Sequence, residues 1–180
     1  MPDSPSAMFQ VHIQGSLEDV WHEITRTDQP IPAFFNNRMH RGPLEAGSPL
    51  AMRTGDGKWT GVVGEILEVV PLKKFAHTFK FTAYDDPECT VVYELEPKDG
   101  GTQFTLTVEN LPVGTKTGKN MSSGGKMICG TLKRVVETGK PSLGIRMLYG
   151  FFKLMGLLSP KRCATEHWPL DGSGRAGGAA

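Results

Sequence analysis

Cysteine is scarce in this sequence, and its spacing argues against some kinds of site. The 180 residues contain three cysteines, Cys89, Cys129 and Cys163, and no two of them have a Cys-x-x-Cys spacing. An odd and widely spaced set argues against a disulfide framework and indicates a reducing compartment. The N-terminus has no basic flank followed by an apolar core, so we expect no signal peptide and a cytoplasmic location.

An excess of charge and a long hydrophobic run are also missing. Lys and Arg number 20 against 19 Asp and Glu, a net charge of +1. This balance gives no electrostatic reason to expect nucleic acid or an anionic membrane as the main partner. The longest apolar run, Met147–Leu158, is interrupted by Lys153 and is too short to span a bilayer.

Metal-binding patterns are likewise missing. The five histidines, at positions 12, 22, 40, 77 and 167, are scattered, and none has a His-x-x-x-His or His/Cys ligand spacing. We therefore predict no metal site, and no motif indicates another cofactor. The length and a hydrophobic content of 38% fit one globular domain.

A long amphipathic pattern, Asn120–Gly139, is the main feature that is present. Ser122 or Ser123 can cap its first turn, and Gly139 followed by Pro141 supplies the stop. The pattern predicts a helix of roughly 15 residues whose apolar stripe the preceding strands must cover. That stripe recurs at helical spacing and consists of Met121, Ile128, Leu132, Val135 and Val136.

Three clear strand patterns precede this helix. Short turns at Asp85-Asp86-Pro87 and Asp99-Gly100-Gly101 join them into an antiparallel meander with one solvated face. Their alternation predicts one inward face, formed by Phe75, His77, Phe79 and Phe81, by Cys89, Val91, Tyr93 and Leu95, and by Phe104, Leu106 and Val108.

The first half of the chain supplies the remaining elements. A strand around Phe9–Ile13 is followed by a capping box, Ser16–Asp19, that opens a helix over Leu17–Arg26. A short helical turn at Ala33–Asn37 should carry Phe34 and Phe35 inward, and a polar connection then reaches Gly47. Strands at Leu50–Met52 and Trp59–Val70 form a hairpin around Asp56-Gly57, with a bulge expected in the return strand.

Several segments, taken in order, resemble one family. Ser16-Leu-Glu-Asp-Val-Trp21 after a strand looks like the start of the SRPBCC superfamily, also called START-like or birch-allergen-like. Gly61–Pro71, Val91–Thr102 and Leu132–Gly139 resemble segments of domains similar to the C-terminal domain of the activator of the heat-shock-protein-90 ATPase. The resemblance covers about residues 7–140.

The resemblance implies an α+β helix-grip fold. A curved antiparallel sheet of about six to seven strands would wrap around the long C-terminal helix, with two short helices after the first strand and a cavity between sheet and helix. Such cavities commonly hold apolar or amphipathic small molecules. Many relatives carry Gly-Trp at the start of the last helix, where this chain has Gly124-Gly125. We therefore expect a more flexible helix start with more room beside it.

The inward parity gives twelve candidate ligand-binding residues. They suit an apolar pocket and equally an ordinary core. The set is Trp21, Phe34, Phe35, Met52, Trp59, Phe75, His77, Phe79, Tyr93, Phe104, Ile128 and Leu132. For Trp21, Phe79 and Phe104, simple core packing is favoured over ligand contact.

His77 is the one inward residue that needs an explanation. An imidazole between Phe75 and Phe79 must find a partner or face a cavity. A satisfied core histidine, bonded to Tyr93 on the neighbouring strand, competes with a ligand contact or a general base. Our hypothesis is that His77 and Tyr93 form the polar end of the cavity.

A second amphipathic pattern follows the family resemblance. Leu143–Leu158 predicts a helix with a wide apolar stripe and a thin polar face. It could fold over the open end of the cavity, form a homodimer surface, or lie in a membrane interface. We expect a helix-grip domain at residues 7–140, this helical extension at 141–160, and a mostly disordered tail at 161–180 whose start is anchored by Trp168.

Three function classes follow. The favoured one is binding of a hydrophobic or amphipathic small molecule, such as a lipid, an aromatic or a polyketide-like compound, without catalytic residues. A cyclase, dehydratase or hydrolase would have to use His77 and Tyr93, with Glu65 as the other candidate. A chaperone-cofactor role needs a protein-binding surface. The 180 residues hold no separate N-terminal domain like that of the full activator, so chaperone contact is the weakest expectation.

Overall fold

A seven-stranded antiparallel sheet organises the computed structural model, which describes residues 5–155 and 159–170. The order across the sheet is β1-β7-β6-β5-β4-β3-β2, so the first strand pairs with the last. The strands are β1 (Ala7–Ile13), β2 (Arg38–Arg41), β3 (Pro49–Arg53), β4 (Thr60–Val70), β5 (Lys74–Phe81), β6 (Cys89–Lys98) and β7 (Gly101–Glu109), and the helices are α1 (Leu17–Thr25), α2 (Lys116–Thr138) and α3 (Leu143–Met155). This is the predicted α+β helix-grip architecture.

The first helix begins as the sequence predicts. Ser16 is the N-cap of α1, and its hydroxyl accepts a hydrogen bond from the Asp19 backbone N–H at 3.0 Å. The Asp19 carboxylate in turn accepts from the Ser16 backbone N–H, which completes the capping box. The helix buries Val20 and Ile24 completely against the sheet side of the core.

The structure adds a strand that the sequence analysis assigned to a polar connection. β2 pairs with β3, with Met39 opposite Met52, and it forms one edge of the sheet. Only Met39 of its four residues is apolar, which is why the pattern was missed. Arg38 donates from Nε to the Thr27 carbonyl at 2.8 Å, and Arg41 donates from Nη2 to the Thr25 carbonyl at 3.2 Å.

The meander and the expected bulge are both present. The register between β4 and β5 shifts between Ile66 and Glu68, and a second shift lies between Met52 and Arg53 in β3. The turn between β6 and β7 contains Asp99 and Gly100 with φ of 48° and 75°, as a tight hairpin with positive φ at both turn residues requires.

The long helix α2 is longer than predicted and begins earlier. Its N-cap is Thr115, whose hydroxyl accepts from the Gly118 backbone N–H at 3.0 Å, so the expected cap at Ser122 or Ser123 is wrong. Asp86, from the turn between β5 and β6, also accepts from the Thr117 backbone N–H at 2.8 Å. Gly139 ends the helix at a φ of 75°, as predicted.

The two glycines at 124 and 125 do not open space as expected. They lie inside α2 and not at its start, and a Cβ on Gly125 would overlap the ring of Phe9 from β1. The Phe9 ring therefore fills the volume beside this glycine. A Cβ on Gly124 would lie 3.7 Å from Phe35 Cζ, an ordinary contact.

The C-terminal part returns to the outer face of the sheet. Residues 161–163 and 165–167 form short 3₁₀ turns, and buried Trp168 packs with Ala51 and Val63 on that face. Arg53 donates from Nη2 to the Trp168 carbonyl at 3.0 Å. Residues 161–170, expected to belong mostly to a disordered tail, are thus held by the burial that Trp168 provides. The rest of that predicted tail, 171–180, lies outside the described residues.

Candidate functional site

An aromatic row lines the inner face of the sheet at its centre. His77 is the middle of the row, with ring centroids 5.3 Å from Phe75, 6.4 Å from Phe79 and 5.7 Å from Tyr93. Phe104 on β7 continues it, 6.0 Å from Tyr93. Phe75, Phe79, Tyr93 and Phe104 belong to one hydrophobic cluster with residues of α2, and the His77 ring lies among them. The shared inward parity that the sequence predicts is therefore confirmed.

The row changes from buried to accessible along β5. Phe75 and His77 are fully buried, whereas Phe79 and Phe81 are half-buried. Phe81 lies edge-on to Phe79 at 4.8 Å and contacts Tyr84 at 5.8 Å. The aromatic surface is therefore continuous from the interior to the solvent near the start of α2, where Lys116 Nζ lies 5.4 Å from the Tyr84 ring centroid.

His77 has one satisfied and one unsatisfied nitrogen. Its Nδ1 donates to the Thr78 backbone carbonyl at 2.7 Å, and a carbonyl oxygen can only accept, so Nδ1 carries the proton. Nε2 is buried and has no hydrogen-bond partner within the described residues. The expected bond to Tyr93 is not made; the two rings lie tilted against each other.

Titratable groups on this inner face are held uncharged. Burial lowers the pKa of His77 to about 4, which outweighs the opposing effect of its bond to Thr78. Burial raises the pKa of the Cys89 thiol and of the Cys129 thiol to about 11 each, and raises the pKa of Tyr93 further still. At neutral pH the buried end of the site is thus polar but without charge.

Most of the predicted site residues meet in one cluster. Phe34, Met52 and Leu132 are buried in the same core as the aromatic row, and Trp21 and Ile128 pack against it while partly exposed. The clustered set is Trp21, Phe34, Met52, Phe75, Phe79, Tyr93, Phe104, Ile128 and Leu132. The His77 ring packs against three members of that set, Phe75, Phe79 and Tyr93.

Two of the predicted residues lie elsewhere. Phe35 has a left-handed backbone with a φ of 56°, is 39% exposed, and lies beside Gly124 of α2, outside the cluster. Trp59 forms a backbone bridge to Ala164 of the C-terminal segment and stays partly exposed.

Residues omitted from the predicted set also contribute. Phe81 has the same parity on β5 as Phe79, so the alternation alone could have included it. Cys129 on α2 lies near Tyr93, and a charge on the Cys129 thiol would raise the pKa of Tyr93. The sequence predicts the helix that carries Cys129 but does not show which strand that residue faces. Glu65, the extra acid considered for an enzyme, alternates with inward-facing Ile66 and therefore points to the outer face.

Helix α3 does not cover the site with its apolar stripe. Tyr149 is buried, and its hydroxyl donates to the Pro32 carbonyl at 2.5 Å, which holds the helix against the turn after α1. Met147, Phe151 and Phe152 remain exposed. A lid that closes over the cavity with this stripe is therefore not what the structure shows, and Leu158, the predicted end of the helix, lies outside the described residues.

No group of three or more His, Cys, Asp or Glu side chains in residues 5–155 and 159–170 is arranged to hold a metal ion. No helix within them is long and apolar enough to cross a membrane.

Comparison with protein families gives one match over most of the chain. The family described as "Activator of Hsp90 ATPase homolog 1-like protein" matches residues 14–137. The match runs from the end of β1 to the end of α2 and so contains the aromatic row. Helix α3 and the segment after it lie beyond it. None of the curated proteins matches the chain.

Solved structures share the fold at low sequence identity. The Aha1 dimer from Colwellia psychrerythraea is 18% identical, with a TM-score of 0.61 over 76% of this chain and 98% of that one. CalU16 from Micromonospora echinospora is 16% identical, with a TM-score of 0.57 over 86% and 88%. DynU16, a protein of the dynemicin biosynthetic locus, is 22% identical, with a TM-score of 0.60 over 78% of this chain and 49% of that one.

The family match and the architecture lead to the same assignment. The matched residues 14–137 contain α1, strands β2–β7 and the long helix α2, and this fold supports ligand binding in general. The chain belongs to the family of Activator of Hsp90 ATPase homolog 1-like proteins, within the SRPBCC type of helix-grip domains.

Proposed function

We propose that this protein binds an uncharged hydrophobic or amphipathic small molecule, such as a lipid, an aromatic or a polyketide-like compound, between the inner face of the sheet and α2. The observation that carries the proposal is the buried Nε2 of His77, which has no partner within the described residues. A buried polar atom without a hydrogen bond is costly, and a ligand that supplies one removes that cost.

The chemistry of the site narrows the ligand. Because Nδ1 donates to the Thr78 carbonyl, Nε2 offers a lone pair and requires a donor, such as a hydroxyl or N–H group. The neighbouring groups are uncharged at neutral pH because burial shifts the pKa values of His77, Cys89 and Cys129 away from 7. A charged ligand head would therefore be poorly accommodated at this end.

Catalysis is the weaker alternative for the same site. A general base works best with a pKa near the operating pH, whereas the pKa of His77 is lowered to about 4 and that of Tyr93 is raised well above its usual value. Glu65 lies on the other face of the sheet. We propose no catalytic residue.

We also propose an assembly and a cellular compartment for this protein. The fold shared with the Aha1 dimer supports a homodimer as the assembly to test first, and the family description makes a chaperone-cofactor role the second candidate function. The free thiols of Cys89, Cys129 and Cys163 support a cytoplasmic location, since a reducing compartment keeps thiols unpaired.

Two uncharged probes test the hydrogen bond to His77. We would compare the affinity of 2-naphthol, which has a hydroxyl donor, with that of 2-methoxynaphthalene, which has the same ring system without the donor. The wild type should prefer 2-naphthol by about tenfold, which corresponds to one buried hydrogen bond. His77→Phe should reduce this preference to nearly one while still binding the methyl ether, and His22→Gln, on the exposed side of α1, should retain it.

The folded state and the natural ligand need separate measurements. Circular dichroism should show that His77→Phe keeps the wild-type spectrum. Native mass spectrometry of protein purified from its host should detect a co-purifying apolar molecule. Equal affinities for the two probes in the wild type, together with an empty protein from the host, would overturn the proposal.

A further inference from the structure

The exposed face of α3 is a contiguous apolar stripe. Leu143, Met147 and Phe151 follow each other at intervals of four residues and are 70%, 69% and 56% exposed. Phe152, which lies toward the Tyr149 side of the helix, is 44% exposed. Side chains this apolar are seldom grouped on a protein surface unless the surface binds something.

The chain segment that carries this stripe has charged residues of one sign only. From residue 138 to residue 165 the sequence contains five cationic residues, Lys140, Arg146, Lys153, Lys161 and Arg162, and no Asp or Glu. The net charge of +1 for the whole chain conceals this local excess. Arg162 is paired with Asp85, which leaves Lys140, Arg146, Lys153 and Lys161 as exposed cations without an ion pair in the described residues.

Two of these cations lie along one side of the apolar stripe. At about 100° per residue, the three residues of the stripe fall within an arc of about 80°, and Arg146 and Lys153 project about 60–80° to one side of it. Tyr149 lies on the far side, buried and bonded to the Pro32 carbonyl. The helix is therefore fixed with its apolar stripe outward and its cations at the margin, where long side chains can reach sideways.

Both ends of the segment are attached to the domain. The C-cap of α2 at Gly139 precedes it, and Trp168 is buried on the outer face of the sheet after it, with Nε1 donating to the Arg162 carbonyl at 2.7 Å. The segment lies beyond the family match, which ends at residue 137. Its surface is thus an addition of this chain to the common domain.

We infer that α3 is a docking surface for an anionic lipid bilayer, with the helix lying in the plane of the interface. Leu143, Met147 and Phe151 would enter the boundary between head groups and acyl chains, and Arg146 and Lys153 would remain at the level of the lipid phosphates. The helix does not cross the bilayer, in keeping with its 13 residues.

The charges beside the stripe favour an anionic bilayer over a second copy of the chain as the partner of α3. A symmetric dimer through the stripe would bring Arg146 and Lys153 of one copy close to the same residues of the other, with no acidic residue in the segment to compensate. Anionic lipids compensate those charges. Each cation near the membrane surface should increase partitioning of the protein onto the bilayer by roughly fivefold.

Vesicle co-sedimentation of the full chain tests the inference. We would compare phosphatidylcholine vesicles with vesicles in which phosphatidylglycerol makes up about one third of the lipid. The wild type should bind the anionic vesicles only, and added salt should weaken binding. The double variant Met147→Ser/Phe151→Ser should lose binding, and Arg146→Gln/Lys153→Gln should weaken it about 30-fold.

Matched controls alter equally exposed residues elsewhere. Met8→Ser/Val113→Ser removes two apolar side chains that are 62% and 70% exposed, and Lys58→Gln/Lys119→Gln removes two exposed cations. Both should bind like the wild type, and all variants should retain the wild-type melting temperature because the altered side chains are at the surface.

Three outcomes would overturn the inference. The first is equal sedimentation with both kinds of vesicle. The second is a dimer, detected by analytical ultracentrifugation, that Met147→Ser/Phe151→Ser dissociates while no vesicle binding is seen. The third is absence of vesicle binding together with changed 2-naphthol affinity in that double variant, which would make α3 part of the small-molecule site.

Discussion

The imidazole of His77 lies against the phenol ring of Tyr93 with ring centroids 5.7 Å apart, yet the two side chains share no hydrogen bond. The imidazole donates instead to the backbone of the next residue, Thr78. This arrangement fixes the neutral tautomer and directs an unused acceptor into the core. Proximity of two polar side chains on neighbouring strands is therefore not enough to predict that they bond.

The first prediction concerns the pH dependence of stability. Burial lowers the pKa of His77 to about 4 from 6.5, so the unfolded chain takes up a proton before the folded protein does. Neutral His77 makes its full contribution to the free energy of unfolding above about pH 6.5. This contribution is lost as the pH falls toward 4. Between pH 7.5 and pH 5 the free energy of unfolding should fall by about 2 kcal/mol from this residue.

Urea unfolding of the wild type and of His77→Phe at several pH values measures this effect. The variant should show a flatter dependence over the same interval, whereas His22→Gln, which alters an exposed histidine, should follow the wild type. Identical slopes for the wild type and His77→Phe would show that His77 does not carry the pH dependence.

The second prediction tests whether α2 begins at Thr115, as in the structure, or at Ser122, as the sequence pattern suggests. Thr115→Ala removes the hydroxyl that accepts from the Gly118 N–H, so it should lower the free energy of unfolding by about 1 kcal/mol. Ser122→Ala removes a mid-helix hydroxyl that donates to the Gly118 carbonyl and should change stability by less than about 0.5 kcal/mol. Thermal unfolding of both variants makes the comparison, and a larger loss for Ser122→Ala would contradict this helix start.

The third prediction uses two glycines of the same helix. Gly125→Ala should lower the free energy of unfolding by about 1–3 kcal/mol because the new methyl group would overlap the Phe9 ring and force β1 or α2 to shift. Gly130→Ala should raise it by about 1 kcal/mol, since no atom lies within 4 Å of the added Cβ and alanine is the better helix former.

Differential scanning calorimetry of the two variants provides the measurement. Opposite shifts in the melting temperature are expected from the same chemical change made five positions apart. If Gly125→Ala were as stable as Gly130→Ala, the close packing of Phe9 on α2 would be refuted.

The sequence predicted the strands of the sheet wherever strongly apolar and polar side chains alternate. Phe75, Tyr93 and Phe104 lie on one face in the structure, because apolar and polar residues alternate along most of their strands, with Ala76 and Val92 as the exceptions. The capping box at Ser16 was equally readable, since it depends on residues three positions apart.

Other elements depend on contacts that the sequence does not display. β2 has one apolar residue, Met39, and exists because β3 offers it a partner. The first turns of α2 contain Gly118 and Ser122, which are poor helix formers, but Asp86 from a distant turn supports them by accepting from Thr117. Phe35 and Phe34 are alike as residues and are separated only by backbone conformation.

The packing of the candidate site residues could be predicted in outline, whereas their hydrogen bonding could not. Alternation placed His77 among the inward aromatics, but which nitrogen is free follows from the position of the Thr78 carbonyl. No spacing rule encodes that geometry, because it depends on where the Thr78 carbonyl lies relative to the imidazole in three dimensions.

The guanidinium groups along β2 have a consequence for how this protein behaves at high concentration. An outer strand with free backbone groups can act as a template on which further copies add strand by strand into fibrils. β2 is four residues long. Arg41 donates to the carbonyl of Thr25 at the end of α1, and Arg38 donates to the carbonyl of Thr27 just after it. Two copies approaching along this edge would bring like charges together, which disfavours strand addition at β2.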